Sequence, residues 1–157
     1  DNWEPHVYRT HDYGGTSLNQ LVAFDRLGVF SRPLPKPSNQ LSAFPDWRTQ
    51  AGSIEERARA YLDVNCAMCH TPPGFTKIDL RHQLPLDQMW LVDRDPEKPR
   101  IGPNDSKLVL PGDPARSELL LRMTQRGPGR MPNLATSLVD RQACDVVRQW
   151  IQSLKKH

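Results

Sequence analysis

Residues 60–70 of the chain read AYLDVNCAMCH, and this stretch places two of the three cysteines beside a histidine. Cys66, Cys69 and His70 stand at positions i, i+3 and i+4, which share one face of a helical turn. Two thiols and an imidazole on one face can hold a single group between them. The third cysteine, Cys144, stands alone near the C-terminus, so the cysteines do not predict a disulfide scaffold.

The Cys-x-x-Cys-His spacing is typical of covalent attachment of a c-type haem. In that chemistry both thiols, here Cys66 and Cys69, add to the vinyl groups of the porphyrin, and His70 binds the iron as proximal ligand. The other ring nitrogen of His70 needs a hydrogen-bond partner, and a carbonyl of Pro72 or Pro73 is the predicted acceptor. The predicted cofactor is therefore one haem c with its iron.

Two other kinds of site use the same residue types. A thioredoxin-like dithiol follows a strand in a βαβ unit, and no such unit is evident in this sequence. A zinc site formed by Cys66, Cys69, His70 and the distant Cys144 would make the chain a zinc-stabilised binding module. Haem attachment is the leading interpretation and the zinc module stays open. Under the haem interpretation, Cys144 is expected to be a partly buried thiol.

An electron-transfer haem usually has a sixth ligand, and a methionine thioether from a downstream loop suits that position. Met131 stands in the proline- and glycine-rich residues 127–132. These residues are not expected to form a helix, so the packing of a helix face does not explain a long apolar side chain there. The predicted metal ligands are therefore His70 and Met131. Met123 is the alternative, although its place on a helical stripe favours core packing. An empty sixth position would instead suit gas sensing or peroxidase-like catalysis.

The remaining methionines and histidines are weaker candidates for the iron. Met68 lies inside the attachment stretch and is expected to point away from the site, whereas Met89 stands beside Trp90 in a context that favours the core. Four histidines outside the motif are expected to be solvated: His6, His11, His82 and His157.

The propionates, which are the carboxylates of a haem, have candidate partners among the basic and aromatic residues. The candidates are Arg81, Arg122 and Arg130, and in addition Arg126, which flanks the Met131 loop together with Arg130. For each arginine a solvated surface charge is the simpler expectation. Trp90 and Trp150 are expected in the core, with an indole–propionate hydrogen bond as the alternative.

Capping signals predict helices in the first half of the chain. Residues 17–20 and 53–56 both have the Ser-x-x-Gln/Glu form of a capping box. The first of these helices is expected to end at Gly28, and the second to continue into Cys66. Prolines between the two helices predict an extended segment over residues 31–45.

Two more helices are predicted in the second half. One begins at Asp113-Pro114, in the form of an N-cap followed by proline, and continues through Met123. The other begins at Ser137 and carries the clearest apolar stripe of the chain, which ends at Leu154. Residues 75–111 are expected to form turns with one or two short helical pieces. No strand-like alternation is evident, so the predicted fold class is all-α with long proline-rich loops.

Length and charge exclude several classes of protein. A chain of 157 residues fits one compact domain, and no apolar stretch approaches the roughly 18 residues of a membrane helix. The 21 basic and 18 acidic residues give a net charge of +3 without a dense basic block, which argues against a nucleic-acid binder. Because the sequence starts at Asp1, it is expected to be a mature secreted chain or a piece of a longer protein.

Several stretches resemble the monohaem c-type cytochrome domains of large secreted bacterial redox proteins. They are residues 60–70, residues 110–114 (LPGDP) with 117–120 (SELL), and residues 130–132 (RMP). The similarity covers roughly residues 50–155, and residues 19–21 and 27–30 resemble the segment that precedes the domain in that family. The resemblance implies a class-I-like cytochrome c fold, with His70 as proximal ligand and Met131 at the methionine position.

The same resemblance implies electron transfer between redox donor and acceptor proteins, without chemistry on an organic substrate. It implies a periplasmic or secreted location, because bacteria attach haem c outside the cytoplasm. Some members are joined to carbohydrate-binding modules and are thought to serve lytic polysaccharide monooxygenases, and others accompany quinoprotein dehydrogenases, so a polysaccharide-oxidising system is an analogy. The predicted division is an N-terminal extension with one short helix and a proline-rich strap over residues 1–50, followed by a haem domain over residues 51–157. The resemblance also implies that this chain can be one module of a larger protein.

Overall fold

The structure is a computed structural model that describes residues 10–74, 76–134 and 136–155. The chain divides into two compact units, Asp1–Asp46 and Trp47–His157. The secondary structure consists of strands β1 (Thr10–Asp12) and β2 (Ser17–Asn19) and helices α1 (Gln20–Arg26), α2 (Ile54–Leu62), α3 (Glu118–Thr124) and α4 (Arg141–Ser153). The separation of an N-terminal extension at residue 50 stays a prediction.

In the first unit, β1 and β2 form an antiparallel hairpin in which Asp12 lies opposite Ser17. The turn depends on Gly14 and Gly15, whose φ angles of 71° and 90° lie in the left-handed region that favours glycine. The N–H of Gly15 donates to the carboxylate of Asp12 at 2.6 Å, which closes the turn.

Helix α1 begins later than the sequence predicted. The expected capping box at Ser17 is wrong, because Ser17 pairs within the hairpin. Asn19 is the N-cap instead, and its side-chain oxygen accepts from the N–H groups of Leu21 and Val22 at 2.9 and 3.3 Å. The helix then ends close to Gly28, as predicted.

The predicted all-α fold class is wrong. The hairpin β1–β2 is present, and helical segments of every kind make up only 35% of the described residues. The class-I-like cytochrome c fold that was expected with it is not confirmed. Strands of three residues are too short to reveal an alternation of apolar and polar positions, so the hairpin left no periodic signal in the sequence.

The second unit has its core on α4, against which α2 and α3 pack. The buried face of α4 is the predicted apolar stripe: Ala143, Val146, Val147, Trp150 and Ile151. The helix begins at Arg141 rather than at Ser137, since Asp140 is the N-cap and its carboxylate accepts from the N–H of Ala143 at 3.0 Å. The predicted stripe is therefore confirmed, and its starting point is wrong by four residues.

The predicted capping box at Ser53 is confirmed. The hydroxyl of Ser53 accepts from the N–H of Glu56 at 3.2 Å, and the Glu56 carboxylate accepts from the N–H of Ser53 at 2.8 Å. We expect Ser53→Ala to lower the free energy of unfolding by about 1 kcal/mol and the melting temperature by about 2–4 °C, measured by thermal unfolding. Ser53→Asp, which keeps an N-cap acceptor, is the control, and an equal loss in both variants would contradict a capping role.

Helix α3 is shorter than predicted because the chain breaks at Ser117. Asp113 caps only a single 3-10 turn, Pro114–Arg116. The hydroxyl of Ser117 then donates to the carbonyl of Asp113 at 2.8 Å, while its oxygen accepts from the N–H of Leu110 at 2.9 Å. These bonds fix Ser117 in an extended conformation, so α3 starts at Glu118.

The segment before α3 has little regular structure, as predicted. Residues 76–111 contain one 3-10 turn, Leu86–Gln88, among turns and bends. Within the described ranges, no helix is both long and apolar enough to cross a membrane.

Candidate functional site

The predicted attachment stretch continues directly from α2. After Leu62 the chain widens into a π-helical turn, Asp63–Ala67. The N–H groups of Cys69 and His70 then both donate to the carbonyl of Cys66, at 3.0 and 2.9 Å. The three motif residues thus lie on one helical turn, and the π turn changes the direction in which they leave the helix.

The two cysteines of the motif differ in exposure. Cys66 is half-buried and Cys69 is exposed, and both are free thiols. Burial, followed by the proximity of Cys69, raises the pKa of Cys66 to about 12. A reactive dithiol needs a lowered thiol pKa, which a helix N-terminus can supply. Here the motif follows the C-terminal end of α2, where the helix dipole disfavours a thiolate, so the thioredoxin-like alternative is not favoured.

His70 is oriented by a residue that the sequence did not indicate. Its Nδ1 lies 3.1 Å from the hydroxyl oxygen of Thr76, and that oxygen also accepts from the N–H of Ile78 at 3.2 Å. A hydroxyl can accept from a ring N–H or donate to a ring nitrogen, so this contact orients the His70 ring in either tautomer. The predicted carbonyl partner from Pro72 or Pro73 is therefore wrong.

This hydrogen bond prepares His70 as a ligand. In the tautomer that donates from Nδ1 to Thr76, the lone pair of Nε2 is free, and Nε2 is then the atom that can bind a metal. Burial also lowers the pKa of His70, which favours the neutral ring.

A pocket in the second unit brings together residues that are far apart in the sequence. Its walls include Cys66, His70 and Met131, and its empty space measures about 1230 Å³ including the side open to solvent. Much of the wall is apolar: Tyr61, Ile78, Leu80, Leu91, Leu108 and Leu119. Cys69 is not part of this wall.

The loop that carries Met131 is fastened to α3. The N–H of Met131 donates to the carbonyl of Arg122 at 2.9 Å, and the Arg122 guanidinium donates to the carbonyl of Gly129 at 3.1 Å. The side-chain amide of Gln125 donates to the carbonyl of Pro128 at 2.9 Å. Three separate contacts therefore fix the backbone beside Met131.

Glu118, at the start of α3, holds the side chain of Arg122, which in turn positions the loop of Met131. It is fully buried and accepts from the hydroxyl of Ser106 at 2.8 Å, from the backbone of Ile101 and Gly102, and from Arg122 at 2.8 Å. Burial by itself raises the pKa of Glu118, but the hydrogen bonds and the charge of Arg122 outweigh it and lower the pKa. The carboxylate therefore stays ionised inside the protein.

Of the four arginines proposed as propionate partners, two line the pocket and two do not. Arg81 forms a bidentate pair with Asp79 and does not line the pocket. Arg130 also lies outside the wall and donates to the carbonyl of Asn133 at 3.1 Å. Arg122 and Arg126 both line the pocket.

The methionines are distributed mostly as predicted. Met68 is 85% exposed and does not line the pocket, and Met89 is fully buried in the core. Met123 has both environments, because it is buried among core residues and also lines the pocket. Met123 and Met131 therefore remain the two methionines beside the same space.

Trp90 does not belong to the core, so that prediction is wrong. It is 37% exposed, and the cations of Arg94 and Lys77 lie over its ring, 4.2 and 5.6 Å from the centroid. Trp150 is fully buried, as predicted, and does not line the pocket. Cys144 is more deeply buried than predicted, and it is one of the residues that line the pocket.

The histidines outside the motif have varied environments. His11 is exposed, as expected, whereas His82 is partly buried, and that burial lowers its pKa. The solvated state predicted for His82 is therefore wrong. His6 and His157 lie outside the described residues.

The side chains required by the zinc alternative are not grouped as a zinc site requires. Within residues 10–74, 76–134 and 136–155, no set of three or more His, Cys, Asp and Glu side chains is placed to hold a metal ion. Cys66, His70 and Cys144 line the same pocket without forming such a set.

Comparison of the chain with protein-family models, with curated proteins and with solved structures gives no match. Its function therefore has to be inferred from the pocket and from the attachment stretch themselves.

Proposed function

We propose that this chain is an electron-transfer module that carries one covalently bound haem c. Cys66 and Cys69 would form the thioether links to this haem, and His70 and Met131 would bind its iron. The supporting observation is that Cys66, His70 and Met131 line the same pocket although His70 and Met131 stand 61 positions apart in the sequence.

The chemistry of these side chains fits a haem. A largely apolar wall suits the macrocycle, and a neutral imidazole with a free Nε2 suits the iron. A thioether such as that of Met131 binds iron without first losing a proton. Cys69 differs from the other three because it is exposed, and it enters the proposal through its spacing from Cys66.

When bound, the haem supplies reversible one-electron chemistry at its iron. The chain supplies attachment through two thiols and orientation through two hydrogen-bonded contacts. Thr76 fixes the ring of His70, and the Arg122 carbonyl fixes the backbone of Met131. A His/Met ligand pair raises the reduction potential of the iron. Ligands that stay in place in both oxidation states also keep the reorganisation energy of electron transfer small.

We further propose that the module works in the periplasm or outside the cell, between a redox donor and a redox acceptor protein. Encounters of this kind are weak and bury less than about 1,200 Å². A polysaccharide-oxidising system is one such setting, and it is supported by sequence resemblance alone.

The test is a visible spectrum of the oxidised and reduced protein, made in a bacterial host that attaches haem c. We expect a c-type pyridine haemochrome and a low-spin spectrum, and a mass increase of one haem that survives denaturation. Cys66→Ala combined with Cys69→Ala is expected to abolish the covalent mass increase, because no thioether can form. Cys144→Ala is the matched control and is expected to keep it.

Other spectra would support the alternatives. A high-spin ferrous spectrum with rapid CO binding in the untreated protein would indicate a five-coordinate haem for sensing or peroxidase-like catalysis. A colourless protein with stoichiometric zinc would indicate the binding module and would contradict the proposal.

A further inference from the structure

Arg126 lies in the pocket wall just beyond the C-terminal end of α3. One terminal nitrogen of its guanidinium donates to the carbonyls of Met123 and Gln125, at 3.0 and 2.5 Å. The other donates to the carbonyl of Leu138 at 2.5 Å. The side chain therefore connects the end of α3 to the segment that leads into α4.

The third nitrogen of this guanidinium, Nε, lacks a partner in the part of the chain that the structure describes. Nε of Arg126 is buried and finds no hydrogen-bond acceptor among the described residues. A buried donor without a partner is costly, more so when the group is charged. Buried polar groups of native proteins are nearly always satisfied, so an unsatisfied one in a pocket wall suggests that a bound molecule supplies the acceptor.

The charge of Arg126 is also unpaired within the described part of the chain, where it forms no ion pair with a carboxylate. Asp140 belongs to the same wall, and Asp140 and Arg126 both act on the pKa of Tyr61 and of Cys144. The Asp140 carboxylate, however, caps α4 through the N–H of Ala143. Arg126 thus presents a positive charge to the pocket.

The other cations of the wall are less suited to receive an anion. Arg122 donates to the carboxylate of Glu118 and to the carbonyls of Pro99 and Gly129. Lys98 is exposed to solvent, where an ion pair contributes little.

We propose that Arg126 is the anion anchor of this pocket, and that its buried Nε–H donates to a carboxylate of the molecule bound there. This inference rests on the proposed function, under which that carboxylate is a haem propionate. The contact joins the bound group to both chain segments that Arg126 connects. A charge-assisted hydrogen bond of this kind is among the strong ones.

The experiment uses the full chain without attached haem and two iron-free probes, protoporphyrin IX and its dimethyl ester. The two probes share a macrocycle and differ in their carboxylates. Binding is measured by porphyrin fluorescence anisotropy, and circular dichroism checks that each variant is folded. We expect the wild type to bind the diacid about 10- to 100-fold more tightly than the diester.

Arg126→Gln is expected to remove most of this preference while binding the diester about as tightly as the wild type does. Arg126→Lys keeps the charge without the Nε–H and is expected to keep a smaller preference for the diacid. It replaces Arg126→Gln as the test variant if Arg126→Gln does not fold. Arg130→Gln is the matched control, because it removes the same charge from a neighbouring residue that lies outside the wall.

Equal binding of diacid and diester by the wild type would overturn the role of Arg126 and leave the proposed function standing. An equal loss of preference in Arg126→Gln and Arg130→Gln would also overturn it, since net charge alone would then explain the effect. A folded wild type that binds neither porphyrin would overturn this inference together with the proposed function.

Discussion

Met131→Ala is expected to remove the weak absorption band, near the red edge of the oxidised spectrum, that reports ligation of iron by methionine. Loss of the thioether is also expected to lower the reduction potential, because a methionine ligand favours the reduced iron. The freed position should bind CO rapidly in the reduced protein. The measurements are the oxidised spectrum, a potentiometric titration and the rate of CO binding.

Met123→Ala is the matched control for this experiment. Both methionines line the pocket, but Met123 is 6% exposed and packs in the core of the second unit. We therefore expect Met123→Ala to keep the band and to lower the free energy of unfolding by about 2–5 kcal/mol, as a core truncation does. Loss of the band in Met123→Ala with its retention in Met131→Ala would make Met123 the ligand.

Glu118→Ala is expected to lower the free energy of unfolding by about 3–5 kcal/mol. The carboxylate is fully buried, and its removal takes the acceptor from the backbone N–H groups of Ile101 and Gly102 and the ion-pair partner from Arg122. Chemical denaturation at neutral pH measures this loss. Because Arg122 also fixes the loop of Met131, the same variant is expected to weaken the methionine band.

Glu55→Ala is the control for an ordinary ion pair. Glu55 pairs with Arg59 one helical turn away and is 42% exposed, so its removal is expected to cost less than about 1 kcal/mol. A loss of similar size in the two variants would contradict the buried network.

The stability contributed by Glu118 should depend on pH in a defined direction. The folded protein lowers the pKa of Glu118 below its ordinary value of 4.5, so the unfolded chain takes up the proton first. The contribution is complete above pH 4.5 and is lost as the pH falls through the folded pKa. The wild type should therefore lose more stability than Glu118→Ala between neutral pH and pH 3.

The features that the sequence predicted well are those with local causes. The capping box at Ser53 and the stripe of α4 depend on residues within one or two helical turns of each other. The turn from Cys66 to His70 is likewise closed by its own backbone. In each case the side chains that determine the conformation stand next to one another in the sequence.

The features that were missed depend on contacts between distant segments. Ser117 ends the expected helix because its hydroxyl bonds to Leu110 and Asp113 in a preceding turn. Glu118 has the sequence context of an exposed acid in a first helical turn, and only the return of residues 101–106 buries it. Thr76 is six positions from His70, beyond the range of any helical spacing rule.

The spread of the lining residues along the chain limits how the protein can be truncated and how its site can be transferred to another protein. Its lining begins at Tyr61 and ends at Cys144, so parts of the wall come from nearly the whole of the second unit. A fragment that lacks α2 would lose the lining residue Tyr61, and one that lacks α4 would lose Cys144. Engineering that transfers the site to another protein would have to move at least residues 61–144 as one block, since the lining residues are spread over that whole range.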